Sequence, residues 1–257
     1  MVFALEFPPI NGILRWKDFF PSFNKIGLIA VLAAVIGSLV FFLAGRKSAT
    51  TAPKGIRNFA EVTVEFIENG IVMQTMGKQG LKYTPFLLSL FVFIYLCNVP
   101  GIIPFFQMPA TGRVAIPMML SLTVWFVFIV VGVKHQGLGY FGHLLWPPGV
   151  PTALKPLVGA IEFVSTIIVT PFSLTVRLMA NMLAGHILLV TFAILSKSMF
   201  EAETYQVAFI PLGIMPFAML VGVTAFEVLV GFLQAYIFTI LTAVYINNSM
   251  AGHGDDH

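Results

Sequence analysis

Five long apolar stretches dominate the sequence and restrict it to a membrane fold. They cover residues 26–45, 84–106, 114–133, 157–195 and 207–246. A helix of about 20 residues, rising about 1.5 Å per residue, crosses ~30 Å of hydrocarbon. Only 10% of the 257 residues are charged, whereas soluble domains carry about 25%. The sequence therefore predicts an all-α polytopic membrane protein that forms a single membrane domain over residues 1–257.

The first stretch has two readings, a permanent span or the core of a cleaved signal peptide. Small residues follow it at 48–50, as a cleavage site requires. However, its ~20 residues exceed the ~7–15 of a signal-peptide core. Basic residues follow at Arg46 and Lys47, and these favour the inner side of a membrane. We interpret it as a permanent span.

Residues 58–72 predict a helix of a different kind. Glu61, Glu65 and Glu68 are spaced four and three residues apart and share one face, while apolar residues occupy the other faces. The segment is too polar to span and is predicted to be an amphipathic helix on the membrane surface. Its acidic face is either solvated or in contact with a soluble or peripheral partner.

The last two apolar stretches are longer than one perpendicular crossing requires. Each either breaks into two short spans, near Pro171 and Pro216, or forms one long tilted helix. Lys and Arg are concentrated after the first and third stretches, at 46, 47, 54, 57, 78, 82, 134 and 155. The positive-inside rule then places the N-terminus outside and the C-terminus in the cytoplasm, for five or seven crossings alike.

Four ionisable residues interrupt these two stretches: Glu162, Arg177, His186 and Glu227. Within membranes such residues usually mark ion paths or proton relays. If the stretches form an antiparallel hairpin, one register places Arg177 opposite Gln234 and His186 opposite Glu227. The same register puts the turn near residue 206 and Glu162 opposite residues 248–249. Taken singly, His186 could be a packed core histidine and Glu162 an interface residue.

Arg177 has no acid at its own level in this hairpin. Ser173, Arg177 and Asn181 are four residues apart, so they share one helix face. We therefore expect another subunit to supply the counter-charge. A carboxylate that passes Arg177 would ionise, because a nearby positive charge lowers its pKa. It would take up a proton again on moving into lipid.

The polar residues form two clusters on either side of Arg177, which suggests two half-channels rather than one continuous pore. The outer cluster comprises His186, Glu227, Asn181 and Gln234. The inner cluster comprises Glu162, Ser173 and Tyr245.

Two segments resemble subunit a of F-type ATP synthases. The first is RLMANMLAG at 177–185, preceded by PFSL at 171–174, and the second is LQAYIFTILT at 233–242, followed by Tyr245. A weaker resemblance extends from the first span to the C-terminus and includes Asn98 and Glu162. In some members of the family, the acid and the imidazole at 186 and 227 are exchanged. Position 180 is alanine here where many relatives have glycine.

The resemblance implies a proton-translocating stator subunit beside a rotating ring of c subunits. Arg177 would face the ring carboxylate, and the last two stretches would be long tilted helices against the ring. Peripheral-stalk b subunits, other ATP synthase subunits and the lipid bilayer would be its further partners. The location would be a bacterial inner membrane.

The alternative function is a self-contained proton-coupled secondary transporter, but the two halves show no self-similarity of the kind such carriers have. No nucleic-acid partner, nucleotide site or cofactor is expected. The glycine-rich loop at 134–156 lacks a Walker lysine and is interpreted as a connector. The single cysteine, Cys97, excludes a disulfide framework. The tail at 251–257, with two histidines and two aspartates, is interpreted as solvated rather than metal-binding.

Overall fold

The computed structural model describes residues 25–46, 55–103, 109–137, 139–146, 154–200 and 206–250, and within these ranges it contains helices and no β-strand. The helices are α1 (Lys25–Gly45), α2 (Ile56–Ile67), α3 (Thr84–Ile102), α4 (Ala115–Gln136), α5 (Gly139–Leu145), α6 (Lys155–Phe200) and α7 (Gln206–Met250). Short 3-10 segments, Gly77–Tyr83 and Ala110–Gly112, precede α3 and α4.

Five of the described helices are long and apolar enough to cross a membrane: Ile26–Gly45, Gly77–Ile102, Ala115–Gln136, Lys155–Phe200 and Gly213–Met250. The predicted class, an all-α polytopic membrane protein, is confirmed. The question of five or seven spans is also answered, because α6 and α7 are each one continuous helix. The 46 residues of α6 extend over about 69 Å at 1.5 Å per residue, roughly twice the thickness of the hydrocarbon core.

Pro171 does not break α6, although a proline inside a helix removes a hydrogen bond and clashes with the carbonyl four residues earlier. The helix widens into a π-helical segment, Ser165–Val169, immediately before this turn. The Thr170 hydroxyl donates to the Ser165 carbonyl at 3.0 Å. A π-helical turn inserts one extra residue, and this local widening accommodates the proline without ending the helix.

α2 is the predicted amphipathic helix. It exposes charged side chains on one side and packs against the bundle on the other. It continues through π-helical residues Glu68–Val72 to Met73–Thr75. Arg57 Nε donates to Glu61 Oε1 at 2.8 Å on its exposed side. Ile67, Ile71 and Val72 are fully buried in the main core. The C-terminal part of this segment is therefore a structural part of the bundle.

α7 is the central helix of the bundle and contacts α6, α3 and α4. Its buried residue Phe238 belongs to the same core as Leu178 of α6, Ile94 of α3 and Val124 of α4. α1 packs at the edge of the bundle, on α3 and on α2. Most of its apolar side chains remain exposed, as expected for a helix that faces lipid.

One end of the bundle carries basic residues, among them the exposed Lys82 and Lys134 and the half-buried Lys155. We call it the basic end. The C-termini of α4 and α7 meet here, because Gln136 Nε2 donates to the Ser249 carbonyl at 3.1 Å. Lys82 Nζ lies 3.4 Å from His135 Nε2.

Several predictions concern residues outside the described ranges. These are the possible cleavage site at 48–50, the end of the second predicted span at 104–106, residues 138 and 147–153 of the connector predicted at 134–156, residues 201–205 before the predicted turn near 206, and the tail at 251–257.

α5 packs very closely against the first turns of α6. A Cβ at Gly159 would collide with the Leu145 carbonyl oxygen, which is backbone and cannot move aside like a side chain. Gly159→Ala is therefore expected to force α5 away from α6 and to lower stability by about 1–3 kcal/mol, the usual cost of overpacking. Cys97 is the single cysteine and is fully buried. The temperature at which it becomes accessible to a thiol-reactive fluorophore therefore gives the unfolding midpoint.

Gly27→Ala is the matched control, because no atom lies within 4 Å of a Cβ there. Its midpoint should stay the same or rise, since alanine favours a helix over glycine by about 1 kcal/mol. Equal midpoints for the two variants would contradict the close contact at Gly159.

Candidate functional site

α6 has two opposed faces, and the polar residues divide between them. The buried stripe comprises Leu174, Leu178, Met182 and His186. The opposite stripe is exposed and comprises Arg177, Ala180, Ala184 and Leu188. His186 is nine residues after Arg177, and each residue of an α-helix turns by 100° about the axis. The two side chains therefore lie about half a turn apart around α6. The arginine thus points away from the side of α6 that carries the histidine.

Arg177 lies near the middle of α6, and its side chain is exposed in this chain. Within the described ranges it has no hydrogen-bond or ion-pair partner. Its nearest neighbours along the exposed stripe are alanines at 180 and 184, one and two turns away. Small side chains there leave room for another molecule to approach the guanidinium group closely.

The predicted register paired Gln234 with Arg177, but Gln234 is not hydrogen-bonded to Arg177. It is hydrogen-bonded to Asn181 instead. Asn181 Nδ2 donates to Gln234 Oε1 at 2.6 Å across the contact between α6 and α7. Gln234 is only 2% exposed, so it lies inside this contact, whereas Arg177 is on the open side. Asn181 reaches Gln234 because it is one turn beyond Arg177 and about 40° further round the helix.

The antiparallel arrangement of α6 and α7 is confirmed, and its register agrees with the predicted one to within about one turn. Besides the Asn181–Gln234 bond, Gly185 faces Glu227, and Gly231 faces Met182. A Cβ at Gly185 would lie 2.8 Å from Glu227 Oε1. The Glu227 carboxyl group therefore occupies the space that a side chain at 185 would need.

His186 and Glu227 are both buried, each with 4% of its surface exposed. Glu227 lies beside Gly185, the residue before His186, but the two side chains make no direct hydrogen bond or ion pair in the structure. Both carboxyl oxygens of Glu227, the Nδ1 atom of His186 and the Nε2 atom of Gln234 have no hydrogen-bond partner among the described residues. Each such buried group costs about 1–3 kcal/mol if it is left unsatisfied.

Native proteins rarely leave several polar groups unsatisfied in one place without water, an ion or a partner to bind them. Here the groups are a carboxyl, an imidazole and an amide, which can all bind water, and the first two can exchange protons. The contact between α6 and α7 thus contains, on the side away from the basic end, several buried groups that can bind water, two of which can exchange protons.

Asn98 of α3 is hydrogen-bonded to α7 beside these groups. It is 1% exposed, and its Nδ2 donates to the Gly231 carbonyl at 3.3 Å, one turn from Glu227. Its Oδ1 accepts a hydrogen bond from the Thr111 hydroxyl. The sequence indicates a special role for Asn98, because it is an amide residue within an apolar stretch. Thr111 has none, because it lies in a connection between two helices.

The three residues predicted for the inner cluster are less deeply buried. Glu162 and Ser173 are half-buried on α6, and Tyr245 of α7 packs against Phe128 with ring centroids 5.9 Å apart. Ser249 Oγ donates to the Tyr245 carbonyl at 2.9 Å. These residues occupy the half of the bundle that leads from Arg177 to the basic end.

Tyr140 of α5 joins this cluster and was not identified from the sequence. Its side chain lies near that of Ser249. Burial and the negative charge of Glu162 raise the pKa of Tyr140, while the nearby Ser249 side chain acts in the opposite direction. Tyr140 therefore lies near both Glu162 and Ser249, which is consistent with the predicted placement of Glu162 opposite residues 248–249.

No group of three or more His, Cys, Asp or Glu side chains suitable for a metal ion occurs in the described part of the chain. The histidines and aspartates of the tail lie outside it.

Comparison with known proteins identifies the family. The family model described as ATP synthase A chain matches residues 27–247. The subunit a of ATP synthase from Frankia alni is 41% identical over 90% of this chain and 78% of its own length. The corresponding proteins of Rhodococcus erythropolis and Maricaulis maris are 38% and 37% identical, over 93% and 90% of this chain and 90% of their own length in both cases. The chain belongs to the ATP synthase subunit a family.

Proposed function

We propose that this chain is the proton-translocating stator subunit in the membrane sector of a rotary F-type ATP synthase. Arg177 carries the proposal. It is a permanent positive charge halfway along a membrane helix, on an open stripe of small residues, with no partner in the described part of its own chain. A carboxylate of a neighbouring ring of c subunits provides the missing charge, one subunit at a time.

Arg177 acts through the ionisation of that carboxylate. Beside the guanidinium group the charged form is favoured, so the carboxyl group releases its proton. Away from Arg177 the ionised form is costly in lipid, so the carboxyl group must be protonated before it moves on. Arg177 thus couples release and uptake of protons to movement of the ring, and its charge repels protons from a direct path.

Protons reach the ring through the outer half-channel formed by His186, Glu227, Asn181 and Gln234. Glu227 and His186 exchange protons with water, and the Asn181–Gln234 pair leads from the buried contact to the edge of the open stripe. Protons leave through an inner half-channel with Ser173, Tyr245 and Glu162, which opens at the basic end. A membrane potential of 100 mV supplies about 2.3 kcal/mol per proton.

The orientation proposed follows the positive charges, with the basic end and C-terminus in the cytoplasm and the N-terminus outside. The membrane is the bacterial inner membrane. α6 and α7 are inclined against the ring, because their length exceeds the thickness of the membrane.

The exposed glutamates of α2 offer a contact for peripheral-stalk b subunits. ATP itself is made by other subunits, and this chain holds no cofactor. A self-contained secondary transporter is not favoured, since the relatives are subunits of ATP synthases.

Replacing Arg177 by alanine in the intact synthase should abolish coupled ATP synthesis. Loss of one partner from a buried ion pair costs about 3–5 kcal/mol, so we expect a decrease of at least ~100-fold. The rate is measured in liposomes with an imposed proton gradient, together with recovery of the assembled complex. Lys134→Ala, which removes an exposed charge at the basic end, is the control and should retain synthesis. Normal synthesis by assembled Arg177→Ala complexes would contradict the proposal.

Replacing Glu227 by glutamine keeps the shape of the side chain but removes its proton exchange. Passive proton flux through the membrane sector should fall by about 10²–10⁴-fold, the range that positioned acid–base groups contribute. Lys134→Gln is the control, since it alters an exposed charge at the basic end, away from the outer half-channel. Equal flux in the two variants would remove Glu227 from the outer half-channel.

A further inference from the structure

Ser121 of α4 and Thr175 of α6 form a hydrogen bond between two membrane helices. Their hydroxyl oxygens are 2.6 Å apart, and the two residues are 0% and 8% exposed. Ser121 Oγ is also 3.0 Å from the Met118 carbonyl, and Thr175 Oγ1 is 2.7 Å from the Pro171 carbonyl. The two hydroxyl hydrogens can serve only two of these three contacts. Two oxygens at 2.6 Å need a hydrogen between them, so the bond between α4 and α6 is kept whichever hydroxyl donates.

Thr175 lies behind Arg177 on α6. The two residues are two positions apart, which is about 200° around the helix and about 3 Å along its axis. Arg177 is on the exposed stripe, whereas Thr175 is on the buried side and faces α4. The bond to Ser121 therefore holds the turn that carries the arginine from the side opposite the guanidinium group. The Asn181–Gln234 bond attaches the next turn to α7, so Arg177 lies between two interhelical hydrogen bonds.

The turn of Arg177 needs such an attachment because the part of α6 before it is weakened. Pro171 has no N–H group, so one backbone hydrogen bond of the helix is missing. The preceding segment, Ser165–Val169, is π-helical, and helices bend most readily at prolines and π-helical turns. Without a contact to a neighbouring helix, α6 would therefore bend just before Arg177.

We propose that Ser121 and Thr175 are positioning residues that anchor the Arg177 turn of α6 to α4 against the lateral pull of the ring. Each ring carboxylate that forms and breaks an ion pair with Arg177 pulls the guanidinium group along the plane of the membrane. If α6 followed this pull, the charge would leave the boundary between the half-channels, and protons could cross without moving the ring. This inference rests on the proposed function and adds to it the contact that keeps Arg177 in place.

The test compares Thr175→Val, Ser121→Ala and the double variant in the intact synthase in liposomes with an imposed proton gradient. The number of protons that cross the membrane per ATP formed is measured over a range of driving forces. Proton flux without synthesis should rise about three- to tenfold in each single variant, the factor that corresponds to one interhelical hydrogen bond in a membrane. The number of protons per ATP should rise with it. The double variant should behave like the single ones, because each change removes the same bond.

Two further variants separate this role from a general loss of stability. Thr175→Ser keeps the hydroxyl group and should retain the normal number of protons per ATP. Thr239→Val is the matched control, because Thr239 is fully buried and its hydroxyl donates to the Ala235 carbonyl within its own helix. A loss of intact complexes alone would lower synthesis and coupled proton flux together and leave the number of protons per ATP unchanged. An unchanged number in Thr175→Val and Ser121→Ala, or the same increase in Thr239→Val, would overturn the inference.

Arg177→Ala measured in the same preparation separates the two claims. If it abolishes synthesis while Thr175→Val and Ser121→Ala match Thr239→Val, only the inference about the anchor fails. If Arg177→Ala retains synthesis, the proposed function fails and the inference fails with it.

Discussion

The charge of Arg177 in the middle of a membrane helix is the constraint on which the rest of this structure depends. Such a charge costs at least ~2.5 kcal/mol to insert, and no described residue of the chain offsets it. Two features of the surrounding structure bear on this charge. The exposed stripe on α6 carries alanines at 180 and 184 next to Arg177, and α6 and α7 are each longer than one perpendicular crossing requires. In the proposed function, a ring carboxylate supplies the charge that the described part of the chain lacks.

The second organising feature is the separation of functions on the two sides of α6. Arg177 is on the open side, and His186 is on the buried side, about half a turn away. The Asn181–Gln234 bond lies between these two sides. Gly185 makes room for the Glu227 carboxyl group, so the same helix presents a fixed charge outwards and proton-exchanging groups inwards. In the proposed function, this arrangement would keep the two half-channels apart without a separate barrier domain.

Much of this architecture follows from the sequence because hydrophobic length and helical periodicity determine it. The spans, the hairpin of α6 and α7 and their register were predictable from apolar runs and polar spacing. The hydrogen-bond partner of Gln234 was predicted wrongly. The register fixes how far along the helix axis two residues lie, but it does not specify the direction in which each side chain points. Thr111 and Tyr140 were missed because they lie at a helix end or a connection, where tertiary contacts decide their roles. The π-helical segment before Pro171 likewise depends on packing.

A density map of the intact complex, examined at the open stripe of α6, would show directly what pairs with Arg177. We expect a ring of small hydrophobic subunits against Arg177, Ala180 and Ala184, with one ring carboxylate within ion-pair distance, about 4 Å, of the guanidinium group. Lipid over this stripe, with Arg177 paired to an acid of its own chain, would contradict it.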